Sequence, residues 1–102
     1  MKWYHYVAAF FAGVFLCNGV PHFVNGVSGN AFPSPFANPP GKGLSTAYIN
    51  VVWGMMNFII GYILLRVSKL SQGNKLGVAV FFVGITAMAI FVSIYFTRRM
   101  QY

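Results

Sequence analysis

The sequence predicts an all-α integral membrane protein, in which three transmembrane helices form one small bundle and a proline-rich loop joins the first two. Of its 102 residues, 58% are hydrophobic and only 7% are charged, whereas about a quarter of the residues in a soluble domain are charged. The charged residues lie only in the short segments between long apolar stretches: residues 3–41, 43–65 and 76–97 contain no charge. Since a helix needs about 20 apolar residues to cross the hydrocarbon core, each stretch can supply one span of a single membrane domain.

The first helix is predicted over about residues 3–27, with Trp3 among the aromatic residues that anchor it at the lipid–water interface. Lys2 and the apolar run to Cys17 are similar to a secretory signal. However, Leu16 stands where a lipoprotein signal needs a small residue, and no A-x-A cleavage site follows. We therefore expect the first helix to be retained.

The second helix is predicted over about residues 45–70 and the third over about residues 74–99. Ser45 or Thr46 is a suitable N-cap for the second helix. The connection "SQGN" is short, which favours an antiparallel hairpin in which the second and third helices pack together.

The connection between the first two helices, about residues 28–44, cannot be helical because it contains four prolines. It also carries Phe32 and Phe36, which a fully exposed loop would seldom have. Two interpretations remain: the loop folds back over the helices, or it rests on the lipid headgroups.

Polar side chains recur at a spacing of seven residues within the predicted spans. Asn18 and Asn25 share one helical face with His22, and Asn50 and Asn57 share a face of the second helix. Lipid provides no hydrophobic drive between helices, so small residues and hydrogen bonds must hold the spans together. We therefore expect these five residues to form a buried polar cluster between the first and second helices.

Glycines repeat at the same interval. Gly54 and Gly61 follow the asparagine stripe of the second helix, and Gly77 and Gly84 are seven residues apart in the third. A repeat of seven suits left-handed packing of helices inside a bilayer. These four glycines are predicted to be helix-packing positions.

The segment around Pro21 has both a structural and a functional interpretation. Proline removes a helical hydrogen bond and bends or ends the helix, and neighbouring amides could bind the freed carbonyl groups. Proline-broken helices also line solute sites in transporters. His22 is in addition the best candidate for an axial ligand of haem or chlorophyll, since a neutral imidazole is the usual donor.

The chain has seven Lys and Arg residues and no Asp or Glu. Without a carboxylate it has no acidic proton relay, hard-metal site or acidic base, and its Cys and Ser residues lack a carboxylate-oriented histidine. We therefore expect no enzymatic activity and no resident metal. The cations are dispersed, which disfavours nucleic-acid binding. They are predicted to contact anionic lipid headgroups, at Arg66, Lys69, Lys75, Arg98 and Arg99.

The positive-inside rule gives a small bias towards a cytoplasmic N-terminus. Four cations flank the N-terminus and the second connection, namely Lys2, Arg66, Lys69 and Lys75, against Lys42, Arg98 and Arg99 on the other side. The predicted location is the bacterial cytoplasmic (inner) membrane.

The run "NGVPHFVNGVSGNAFPSPFANPPGKGLS", followed by "NVVWGMMNFIIGYILL", resembles a set of small uncharacterised bacterial integral membrane proteins. This resemblance covers residues 18–65. It implies a three-helix inner-membrane protein, and it assigns no activity and no functional residue.

Three functions are compatible with these features. The first is a non-catalytic accessory or assembly subunit that packs against other membrane protein subunits. The second is a small homo-oligomeric transporter or channel for a neutral or anionic solute, with the polar cluster as its site. The third is a haem- or chlorophyll-binding chain in which His22 is the axial ligand.

Overall fold

The structure is a computed structural model that describes residues 2–99, with the side chains up to residue 98. It contains three helices, α1 (Trp3–Val27), α2 (Ala47–Val67) and α3 (Lys75–Arg99), and two short strands, β1 (Phe32–Pro33) and β2 (Leu44–Ser45). All three helices are long and apolar enough to cross a membrane. The longest dimension is 43 Å, which matches the roughly 40–45 Å of a bilayer with its headgroups. The predicted all-α membrane architecture is confirmed.

Helix α1 is the centre of the bundle. It packs along both α2 and α3, whereas α2 and α3 make little contact with each other. The second and third helices do run antiparallel, as their short connection predicted, but each packs on α1 rather than on the other. The reason lies in α1, which presents small residues in two directions: Gly19 and Gly26 lie against α2, and Gly13 lies against α3.

The ends of α1 and α3 follow from local hydrogen bonds. After α1, Gly29 adopts the left-handed conformation (φ 81°), and the N–H of Asn30 donates to the carbonyl of Asn25 at 2.8 Å. This is the usual glycine-dependent way to end a helix. At the start of α3, the side-chain oxygen of Asn74 accepts the N–H of Gly77 at 2.9 Å and so caps the helix.

Helix α2 is shorter than predicted at both ends. Thr46 occupies the N-cap position but makes no capping bond through its side chain, and the Ser45 hydroxyl is instead 2.6 Å from that of Ser34. The helix ends at Val67 rather than residue 70, because the hydroxyl of Ser68 donates to the carbonyl of Leu65 at 2.6 Å and the chain then turns at Lys69 with φ 55°.

The proline-rich loop folds back over the helices, as the first of the two interpretations expected. Strands β1 and β2 pair antiparallel, with Phe32 opposite Ser45. The Phe32 side chain is buried, and its ring centre lies 5.4 Å from that of His22 and 4.6 Å from that of Phe96. Phe36 remains 61% exposed. The loop therefore covers the end of the bundle that is opposite to the N-terminus.

Candidate functional site

Two pairs of polar side chains join α1 to α2. The amide of Asn18 donates to the side-chain oxygen of Asn57 at 3.0 Å. The Nδ1 atom of His22 lies 2.8 Å from the side-chain oxygen of Asn50. Asn50 and Asn57 have no exposed surface, and His22 is 3% exposed. The structure thus brings together four of the five residues of the predicted polar cluster.

Asn50 also ties the loop to the helices. Its amide nitrogen is 3.0 Å from the carbonyl oxygen of Phe32 in β1, and 3.2 Å from the carbonyl oxygens of Ser45 in β2 and Thr46. Through its other end it binds His22 on α1. A single buried side chain therefore holds one helix, two strands and the start of another helix in register.

The surroundings of Asn50 determine the tautomer of His22. Three carbonyl oxygens lie around the Asn50 nitrogen, so the amide can only be oriented with its oxygen towards the imidazole. An oxygen at that position requires a proton on Nδ1 of His22. In the neutral ring the other nitrogen, Nε2, then carries a lone pair and can accept a hydrogen bond.

Asn25 does not join the cluster, and the prediction that it meets α2 is wrong. Its amide donates to the carbonyl of Pro21, one turn earlier on the same helix, at 2.8 Å. The place that it was expected to fill is taken by the next residue, Gly26, which lies against Val51 and the carbonyl of Ala47. Helix α1 also continues through Pro21 to its end at Val27.

Three of the four predicted packing glycines lie between helices. A Cβ atom added to Gly54 would come within 3.0 Å of the carbonyl oxygen of Gly19, one added to Gly61 would meet Leu16, and one added to Gly84 would meet the backbone of Phe10. Gly77 instead lies against Leu70 and Asn74, which precede α3, so its predicted role between helices is wrong.

The sequence analysis missed the matching small residues of α1. Gly19 and Gly26 face α2, and Gly13 faces Ile85 of α3. Gly19 and Gly26 have the same seven-residue spacing as the glycines of α2. That spacing was the signal that could have identified them, and it would also have indicated α1 as the helix with two packing faces.

Aromatic rings enclose the imidazole of His22. The ring centres of Phe32, Phe96 and Trp53 lie 5.4, 6.1 and 6.4 Å from it. These rings crowd the imidazole, and axial ligation of a haem or chlorophyll by His22 stays a prediction. Among residues 2–99, no three His, Cys, Asp or Glu side chains lie close enough together to hold a metal ion.

The predicted headgroup-binding cations lie on the surface at both ends of the bundle. Arg66, Lys69 and Lys75 are exposed near the end of α2 and the start of α3, and Arg98 is exposed at the end of α3. Arg66 donates to the hydroxyl of Tyr62 at 3.0 Å, an arrangement typical of a membrane interface. The side chain of Arg99 lies outside the described residues.

No protein-family model, curated protein or solved structure gives a significant match to this chain. Its hydrogen bonds, surfaces and cavities are therefore the basis of the functional proposals that follow.

Proposed function

We propose that this chain is a non-catalytic accessory subunit of a larger membrane complex. One observation carries the proposal: within residues 2–98, no other element covers the outer face of α3, where small residues lie beside Phe82, Val83 and Ile90. Ala79 and Thr86, seven residues apart, are both exposed and line an open groove of about 520 Å³ on the outer side of α3. Gly84, which packs against α1, lies on a different face.

A seven-residue repeat of small residues suits the close approach of another transmembrane helix. Thr86 needs no partner for its hydroxyl, which donates to the carbonyl of Phe82 on its own helix at 2.9 Å. The groove therefore offers shape rather than polar groups, and close packing is what drives helix association in lipid. A helix from another subunit fits this surface.

The state of the polar cluster supports a structural role. Asn18, His22, Asn50 and Asn57 bind one another across the α1–α2 interface, where such bonds contribute about 0.6–2 kcal/mol each. The cluster therefore holds the two helices together. Polar contacts with anionic lipids at the exposed cations would fix the depth of the bundle in the membrane.

The test is extraction of the native membrane with a mild detergent, followed by native mass spectrometry. The variant A79F/T86F fills the outer groove of α3. A matched control, V52F/I59F, adds the same bulk to an exposed face of α2, since Val52 and Ile59 are also seven residues apart and are 55% and 52% exposed. We expect foreign subunits to purify with the wild type and the control, and to be lost from A79F/T86F.

Complexes made only of copies of this chain would reject the accessory role and favour the homo-oligomeric transporter. Foreign subunits that survive in A79F/T86F but not in V52F/I59F would reject the outer groove of α3 as the docking surface and place the partner on α2. Circular dichroism of all three proteins would show whether the variants are folded.

A further inference from the structure

A second feature of the bundle is a small pocket between α2 and α3, beneath the loop. It has a volume of about 160 Å³. Its lining includes two polar residues of α1, one aromatic residue of α2 and three apolar residues of α3: Asn18, His22, Trp53, Met88, Phe91 and Phe96. Helices α2 and α3 make little contact with each other, which leaves space for the pocket between them.

Three polar atoms of these lining residues have no hydrogen-bond partner among residues 2–99. The first is the indole N–H of Trp53, which is fully buried. The second is Nε2 of His22, whose other ring nitrogen is bound to Asn50. The third is the side-chain oxygen of Asn18, whose amide nitrogen is bound to Asn57. Of the three, only the indole nitrogen of Trp53 has no accessible surface, so the acceptor atoms of His22 and Asn18 are the ones that a ligand in the pocket can reach.

The two acceptors define what a ligand must offer. His22 Nε2 can only accept, since the proton of the neutral ring is on Nδ1, and Asn18 presents its oxygen because its nitrogen faces an oxygen of Asn57. A hydroxyl group meets this need, since it can donate to either of them.

The size and walls of the pocket select the rest of the ligand. A cavity of about 150 Å³ holds one benzene ring, and this pocket has about 160 Å³. Its walls are largely apolar, with several aromatic rings, and no Lys or Arg lines it. His22 lies seven residues beyond the middle of α1, which places it roughly 10 Å from the bilayer centre at 1.5 Å per residue. This depth is inside the hydrocarbon core, which extends about 15 Å from the centre, so a ligand there must be soluble in lipid.

We propose that this pocket binds the hydroxyl-bearing aromatic ring of a neutral, lipid-soluble phenol, with quinols as members of that class. The ring enters from the lipid between α2 and α3 and lies among the aromatic side chains. Its hydroxyl donates to Nε2 of His22 or to the side-chain oxygen of Asn18. This binding site is independent of the outer groove of α3.

The probe is 4-fluorophenol, observed by fluorine NMR with the purified protein in phosphatidylcholine nanodiscs. Fluorobenzene has the same ring without the hydroxyl and serves as the matched ligand. We expect one saturable site per chain for 4-fluorophenol, and an affinity for fluorobenzene at least about ten-fold weaker, because losing the hydroxyl leaves buried polar groups unpaired. Equal affinity for the two ligands would show an apolar cavity without recognition of a hydroxyl, and would overturn the proposal.

Two variants locate the site. M88W fills the pocket from α3 and should abolish binding, whereas V83W adds the same side chain at a position that is 57% exposed on the outer side of α3 and should leave binding unchanged. Saturable binding that persists in M88W would place the ligand elsewhere and refute the proposal.

Discussion

Replacement of Asn50 by leucine should destabilise the fold more than replacement of any other residue of the polar cluster. Leucine has the same branching as asparagine but neither donates nor accepts a hydrogen bond. In the variant, Nδ1 of His22 and the carbonyl oxygens of Phe32 and Ser45 lose their bond to residue 50, and all three residues are buried. The third carbonyl, that of Thr46, keeps the backbone N–H of residue 50 at 3.2 Å.

The expected magnitude follows from the number of bonds lost. A neutral hydrogen bond contributes about 0.5–1.5 kcal/mol in water-soluble proteins and about 0.6 kcal/mol on average between transmembrane helices. Three lost bonds to buried groups therefore cost about 2–4 kcal/mol. Asn57→Leu breaks one contact between helices, that with Asn18, and should cost about 1 kcal/mol on the same basis.

The free energy of unfolding can be measured by titration of the detergent-reconstituted protein with sodium dodecyl sulfate, monitored by circular dichroism. Asn25→Leu is the matched control, because the side chain of Asn25 binds only the carbonyl of Pro21 on its own helix; a change of less than about 0.5 kcal/mol is expected for it, as for most substitutions away from such features. If Asn50→Leu proves no more costly than Asn25→Leu, the assignment of Asn50 as the centre of the cluster is wrong.

Two further predictions concern packing and the loop. Gly54→Ala should separate α1 from α2, because the new methyl group would lie 2.8 Å from the backbone nitrogen of Phe23. This overpacking should lower the free energy of unfolding by about 1–3 kcal/mol. Gly73→Ala is the control: Gly73 has open space around it, so this variant should change little in the same unfolding titration. Tyr95→Phe removes the hydroxyl that donates to the carbonyl of Gly41, so hydrogen exchange of the loop amides should accelerate about three- to ten-fold relative to wild type, which is the effect of one neutral bond. Unchanged exchange in that variant would show that this bond does not hold the loop.

The sequence predicted the membrane architecture and the polar contacts well where a repeat was the signal. Asn50 and Asn57 lie on one face of a helix, and a buried amide in lipid needs a partner, so their contact with α1 followed from spacing alone. The same argument failed for Asn25. Near the end of α1 its side chain found an acceptor on its own helix, a local alternative that asparagine often uses.

The lengths of the connections did not predict which helices of the bundle contact each other. A short link between the second and third helices favours their contact, yet both pack on α1 instead. Close approach decides the outcome in lipid, and it depends on the small residues of α1 at Gly13, Gly19 and Gly26. Likewise, the three residues whose carbonyl groups surround Asn50 come together only through the fold of the loop, so no local sequence pattern predicts these contacts.

The central position of α1 has a consequence for biosynthesis. The ribosome delivers α1 first, and at that moment Asn18 and His22 face acyl chains, because the asparagines that bind them belong to α2, which has not yet been made. Isolated α1 is therefore the least stable intermediate during insertion, and the arrival of α2 supplies the missing hydrogen-bond partners. Helix α3 contributes to neither pair, but its Phe96 ring encloses the imidazole of His22, so the arrival of α3 completes the cover of that side chain.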